Sequence, residues 1–176
     1  VALVTGASAG IGRAVCGELV ARGGRVVMVA RRHERLAELE AELGEAAVGV
    51  VGDVTRDGGL DDAVDCARSR FGRLDVALAN AGFGVGRPVE RLEVEDFRRQ
   101  LETNVLGVLR TLYATLPDLK ASRGVFAITG SVAGYLATPG SVAYSMSKFA
   151  VRALAEGLRP ELAPSGVGVV LLSPGY

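Results

Sequence analysis

The sequence predicts an α/β fold in which one parallel sheet is covered on both faces by helices, and three observations predict it. Short apolar, β-branched runs alternate with longer segments of helical period along all 176 residues. The strand-like runs are continuously apolar, Val26-Val27-Met28-Val29-Ala30 among them, as expected when both faces of a strand are buried. Apolar residues make up 49% of the chain and mean hydropathy is +0.30, which suits such a three-layer core. Strict alternation is best met by parallel strands joined through right-handed crossovers.

The elements follow in order. A strand over 1–5 runs into a glycine-rich turn and a helix over 11–22, where Ile11, Val15, Cys16, Leu19 and Val20 share an inward face. The second strand (25–30) feeds a helix over 32–43, and the third (47–52) a helix over 57–71. A fourth strand at 74–79 precedes a long helix over 94–120. That helix has Phe97, Leu101, Val105, Val108 and Leu112 on one face and Leu106, Leu109 and Tyr113 on another. A second apolar face needs a second partner, so a homodimer or homotetramer is expected. The fifth strand (124–129), a helix over 143–163 and a sixth strand (167–172) complete a single Rossmann-type, doubly wound domain over residues 1–176.

Composition narrows the function classes. Twenty basic and twenty acidic residues cancel, so neither nucleic acid nor a membrane surface is an expected partner. Cys16 and Cys66 make no disulfide framework, and Cys16 falls on a core-facing stripe, so a reducing, cytoplasmic setting is expected. No apolar run reaches the ~18 residues of a membrane span, and no signal peptide is read before the first strand. The chain begins at Val1 inside a strand and stops at Tyr176 just after Pro174-Gly175. Both ends therefore read as cut, with a substrate lid and a last strand expected beyond. No metal site is read.

Ligands of such sheets bind outside the carboxyl ends of the strands. The first strand ends in Thr5-Gly6-Ala7-Ser8-Ala9-Gly10-Ile11-Gly12. Glycines there permit a tight turn, clear side chains from a pyrophosphate's path and let helix and strand pack closely. The helix amino terminus then offers free N–H groups to the phosphates of a dinucleotide. The second strand ends in Ala30-Arg31-Arg32. NAD-specific sites place an acid here for the ribose 2′-hydroxyl; Ala30 followed by two guanidinium groups suits the 2′-phosphate of NADP(H) instead. The same pair can also be a solvated start to a surface helix. His33, the one histidine, reads as an exposed bystander.

Tyr144 and Lys148 are four apart on a helix, so both emerge on one face. A phenol is a poor base at neutral pH, and an ammonium within ~4–6 Å favours its ionised form. The pair can then give a proton to a carbonyl oxygen or take one from an alcohol. The chain has only two lysines against 18 arginines, so Lys148 asks for a reason. Ser131, 13 positions before Tyr144, can hydrogen-bond a substrate oxygen as charge develops. It is no hydrolase nucleophile, because the Gly-x-Ser-x-Gly elbow is absent.

Thr-Gly-x-x-x-Gly-Ile-Gly, Asp53-Val54, Asn80-Ala81-Gly82, Asn104, Ser131, Tyr144-x-x-x-Lys148 and Pro174-Gly175 occur in this order. On these motifs the whole chain resembles the short-chain dehydrogenase/reductase family. The resemblance implies an oxidoreductase acting on a small carbonyl or secondary alcohol, a ketoreductase in one direction. It implies that Asp53 bonds the adenine amino group, that Val54 packs on the ring, and that Asn80 braces the sheet beside the cofactor. Lys148 would also hold the nicotinamide ribose, and Pro174-Gly175 would pack the nicotinamide. Asn104 would kink its helix and hold a water against the lysine. Asp53 also suits a ligand-free turn, and Asn104 also suits a polar core site. Phe83, Val85, Val132, Ala133 and Tyr135 are candidates to face an apolar substrate. Three rivals are weighed: a cofactor sensor that has lost catalysis would be expected to lack a catalytic residue; an epimerase or dehydratase would carry Gly-x-x-Gly-x-x-Gly; an enoyl reductase would space Tyr and Lys seven apart.

Overall fold

Thr5, Ala30 and Ala79 end three neighbouring strands of one parallel sheet, and their positions organise the molecule. The computed structural model describes residues 1–175; Tyr176 lies outside the described residues. Its elements are β1 (Ala2–Thr5), α1 (Gly10–Ala21), β2 (Val26–Ala30), α2 (His33–Leu43), β3 (Ala47–Val51), α3 (Asp61–Phe71) and β4 (Val76–Ala79). They continue with α4 (Val94–Leu101), α5 (Gly107–Ser122), β5 (Val125–Thr129), α6 (Val142–Leu162) and β6 (Gly168–Leu172). The strand order is β3-β2-β1-β4-β5-β6 and every pairing is parallel. The winding direction reverses between β1 and β4. Their carboxyl ends lead to opposite sides and leave a crevice between them.

Side-chain alternation along each strand divides the core in two. Leu3, Val27, Phe126 and Ile128 face α3, α5 and α6, meeting Val64, Leu112 and Val151. Val4, Met28, Leu78 and Ala127 face α1 and α2, meeting Cys16, Leu36 and Leu39. Burial pushes the Cys16 thiol up to about 12, so it is an inert packing group.

Two elements differ from the sequence expectation by more than a shift of one or two residues at an end. The third helix starts at Asp61 rather than 57, because Gly58 has φ +71° and turns the chain before the helix can begin. The long helix over 94–120 is not one regular helix: α4 and α5 are joined by a π turn over Glu102–Leu106, in which the Gly107 N–H reaches back five residues to the Glu102 carbonyl. On the joined helix Val108 and Leu112 are buried, while Leu106 and Tyr113 are exposed. No helix among the described residues is long and apolar enough to cross a membrane.

Candidate active site

The crevice between β1 and β4 opens into a cleft of about 980 Å³. Its floor is the turn from β1 into α1. Gly6 has φ +66°, and a Cβ there would stand 2.8 Å from the Ala81 Cα. A Cβ on Gly12 would stand 2.4 Å from the Gly6 carbonyl oxygen and 2.6 Å from Asn80 Nδ2. Only glycine lets α1, the turn and the end of β4 approach this closely. Gly10 faces open space, and Ser8, Ala9, Gly10 and Ile11 line the cleft beside the first turn of α1. No side chain caps that helix start, so its first N–H groups remain available to an anion.

Arg31 and Arg32 form the wall above this turn. Both are exposed, and Arg32 Nη2 donates to Ser8 Oγ at 2.9 Å, which brings a guanidinium onto the glycine turn. His33 is exposed and does not line the cleft. Asp53 accepts both the Thr55 N–H (2.9 Å) and the Thr55 hydroxyl (2.8 Å) on Oδ1, the geometry of a turn. Partial burial opposes its ionisation, but those two bonds and the nearby Arg31 and Arg56 outweigh it and hold the carboxyl below its usual range. Its Oδ2 has no partner among the described residues, and Asp53 lines the cleft next to the buried Val54.

Asn80 ties three strands together. Its Nδ2 donates to the Thr5 carbonyl at 3.1 Å, and its Oδ1 accepts from Thr129 Oγ1 at 3.1 Å. Thr5 Oγ1 in turn accepts the N–H groups of Asn80 and Ala81 at 3.0 and 3.1 Å. Sequence reasoning gave no role to Thr5 or Thr129. The signal available was a polar residue closing each of two otherwise apolar strands.

Tyr144 and Lys148 both line the cleft from α6, together with Phe83 and Gly84. Lys148 Nζ lies 5.6 Å from the Tyr144 ring centroid and donates to the Thr129 carbonyl at 2.7 Å. Burial pulls its ammonium down from 10.5 to about 8. Asn104 is buried in the π turn behind the cleft. Its Nδ2 donates to the Phe83 carbonyl (2.8 Å) and to Ser147 Oγ (3.0 Å), and its Oδ1 accepts the Phe83 N–H (3.0 Å). Ser147 donates on to the Tyr144 carbonyl at 2.7 Å. Asn104 thereby links the loop after β4 to the backbone under Tyr144.

Ser131 stands just past β5, half-buried, where its Oγ accepts the Ala133 N–H at 3.1 Å. That leaves its hydrogen for another acceptor. Ser131 does not line the cleft, and neither do Pro174 and Gly175. The Pro174 carbonyl accepts the Val132 N–H at 3.2 Å and so fastens the end of β6 to the Ser131 loop. Of the five candidate substrate-facing residues, Phe83 lines the cleft. Ala133 is buried, and Val132 and Tyr135 are exposed, the latter under the Arg152 guanidinium at 4.3 Å. Gln100, which sequence reasoning did not single out, is fully buried and accepts the Val85 N–H at 3.0 Å. Among the described residues no cluster suits a metal ion.

Comparison with known proteins gives a consistent picture. A family model described as short chain dehydrogenase matches residues 1–176. An uncharacterized oxidoreductase of Staphylococcus epidermidis is 36% identical over 176 residues, covering 99% of this chain and 76% of that protein. Among solved structures, an alcohol dehydrogenase from the archaeon Thermococcus sibiricus, complexed with 5-hydroxy-NADP, superposes with a TM-score of 0.93 at 34% identity. That match covers 99% of this chain and 75% of the other. A 3-ketoacyl-(acyl-carrier-protein) reductase from Brucella melitensis, complexed with NADH, gives a TM-score of 0.95 at 31% identity, over 99% and 74% of the two chains.

Proposed function

This chain belongs to the short-chain dehydrogenase family of oxidoreductases, and from that membership we propose that it moves a hydride between NADP(H) and a carbonyl or secondary alcohol, with Tyr144 as acid and base. One observation carries the reading. Tyr144 and Lys148 line the same cleft as the glycine turn and the Arg31-Arg32 pair.

The residues present fit a dinucleotide. The uncapped start of α1 and the open space at Gly10 suit a pyrophosphate. Asp53 and Val54, which line the cleft beside Arg31, would recognise the adenine, and Lys148 would hold the ribose hydroxyls. When bound, this cofactor supplies the hydride for carbonyl reduction and accepts it in alcohol oxidation. The protein's share is the proton and the charge. The Tyr144 hydroxyl gives its proton to the carbonyl oxygen, or a phenolate there takes one from the alcohol. The Lys148 ammonium favours the ionised phenol. Ser131, whose hydrogen has no acceptor among the described residues, donates to the substrate oxygen as charge builds on it.

The choice of NADP(H) rests on Ala30, Arg31 and the Arg32–Ser8 contact, because the similar structures include one holding an NADP derivative and one holding NADH. The test is NADPH and NADH oxidation at 340 nm by the purified protein across a panel of apolar ketones. Tyr144→Phe keeps the ring but removes the transferable proton, so turnover should fall at least ~100-fold while NADPH still binds. Near-normal turnover in that variant would sink the acid–base assignment.

A further inference from the structure

Gln100 sits in the last turn of α4 with none of its surface exposed. A buried primary amide is costly unless its polar atoms are bonded, and here they are. Nε2 donates to the Asp96 carbonyl of its own helix at 3.2 Å, and Oε1 accepts the Val85 N–H from the loop after β4 at 3.0 Å. Asn104, four residues on, grips both backbone groups of Phe83. The two amides therefore hold residues 83 and 85 from one helical face, and Gly84 lies between them. The far end of the loop is tied by the Arg87 N–H to the Gly140 carbonyl at 2.8 Å.

What Gly84 touches gives this clamp a purpose. A Cβ built on Gly84 would lie 3.0, 3.3 and 3.5 Å from Cδ2, Cγ and Cε2 of Tyr144. The backbone at Gly84 thus packs beside the Cδ2–Cε2 side of the phenol ring, leaving no room for a side chain between them. We propose that Gln100 is a positioning residue for the reaction. By holding Val85 it sets the height of Gly84 against the Tyr144 ring, and so the place of the phenol oxygen. The proposal rests on the reading of Tyr144 as the acid–base group. An apolar side chain at 100 would fill the same space, but it would leave the Val85 N–H without its acceptor and the loop free to lift from the ring. Displacements of about 1 Å at a reacting group can cost on the order of 100-fold in rate.

Gln100→Met keeps the length and removes the acceptor. Its kcat for ketone reduction should fall roughly 10- to 100-fold while KM for NADPH stays within about 3-fold. Gln100→Glu, held as the neutral acid by the same burial, keeps an acceptor for the Val85 N–H and a donor for the Asp96 carbonyl, and should recover kcat to within about 5-fold of the parent. Gly84→Ala, which pushes on the ring from the same side, should reproduce the kcat loss. An unchanged kcat in Gln100→Met, or a parallel loss of kcat and cofactor affinity that Gln100→Glu does not repair, overturns the proposal. Should the Met variant fail to fold, Gly84→Ala decides, and normal kcat there is equally fatal. Tyr144→Phe measured alongside separates the two readings. If it abolishes turnover while Gln100→Met does not, only the positioning role falls; if it turns over normally, the acid–base reading falls first.

Discussion

Ala30 removes the one side chain that would repel a phosphate at the end of β2, and Arg31 and Arg32 add two that would attract it. A charge-assisted hydrogen bond contributes about 1.5–3 kcal/mol, which is roughly a 10- to 150-fold preference for NADP(H) from one good contact. Ala30→Asp combined with Arg31→Ile should therefore shift the preference toward NAD(H), chiefly through KM for the cofactor. The acid alone would pair with Arg31 and mask both effects. Equal efficiency of the parent with NADH and NADPH would reduce Arg31 to a surface charge. Lys148 makes a different kind of prediction. Its folded value, about 8, lies below the unfolded 10.5. Between these two the unfolded chain binds more protons, so stability must rise with pH across that window. Below about 8 both states are charged and the burial penalty is present in full. Urea denaturation of the cofactor-free protein should show this rise, at most about 1.4 kcal/mol per pH unit, and Lys148→Met should lack it.

The turn between β1 and α1 offers a paired comparison of two glycines in one helix. A Cβ at Gly12 meets a backbone oxygen at 2.4 Å, whereas a Cβ at Gly17 meets nothing within 4 Å. Gly12→Ala should lower stability by ~1–3 kcal/mol, and Tm by several degrees, because the obstacle is main chain and cannot swing aside. Gly17→Ala should leave Tm unchanged or raise it, through helix propensity alone. Equal melting temperatures would refute the close-packing account of the turn. This turn was readable in the sequence because glycine spacing reports backbone approach directly. The six strands were readable too, since burial on both faces leaves unbroken apolar runs. The π turn was not. Its one extra residue leaves the apolar stripe from Phe97 to Leu112 almost in phase, and neither Pro nor Gly marks Glu102–Leu106. The Gln100 clamp was hidden for another reason: glutamine is at home anywhere on a helix, and only the fold shows that this one is buried against a loop. The start of α3 was misjudged because Asp57 was counted into the helix ahead of Gly58, whose positive φ cannot continue it.

Across the molecule, the site is drawn from the ends of β1 to β5, strands that are neighbours in space but distant in sequence. The Asn80 side chain alone joins Thr5, 75 residues before it, to Thr129, 49 residues after it. Lys148 then completes the chain of contacts by bonding the carbonyl of Thr129. No local segment contains these partners, and each is brought in by a separate crossover of the parallel sheet. Pairings of this range form late, after the loop-closure entropy of several crossovers has been overcome. On dilution from denaturant, helix content should return first and ketone reduction only with the slowest phase. Activity that recovered in step with the earliest helical signal would contradict this order. The three-strand bridge at Asn80 thus makes catalysis a late reporter of refolding: intermediates that have not joined β1, β4 and β5 would be compact, helical and inert.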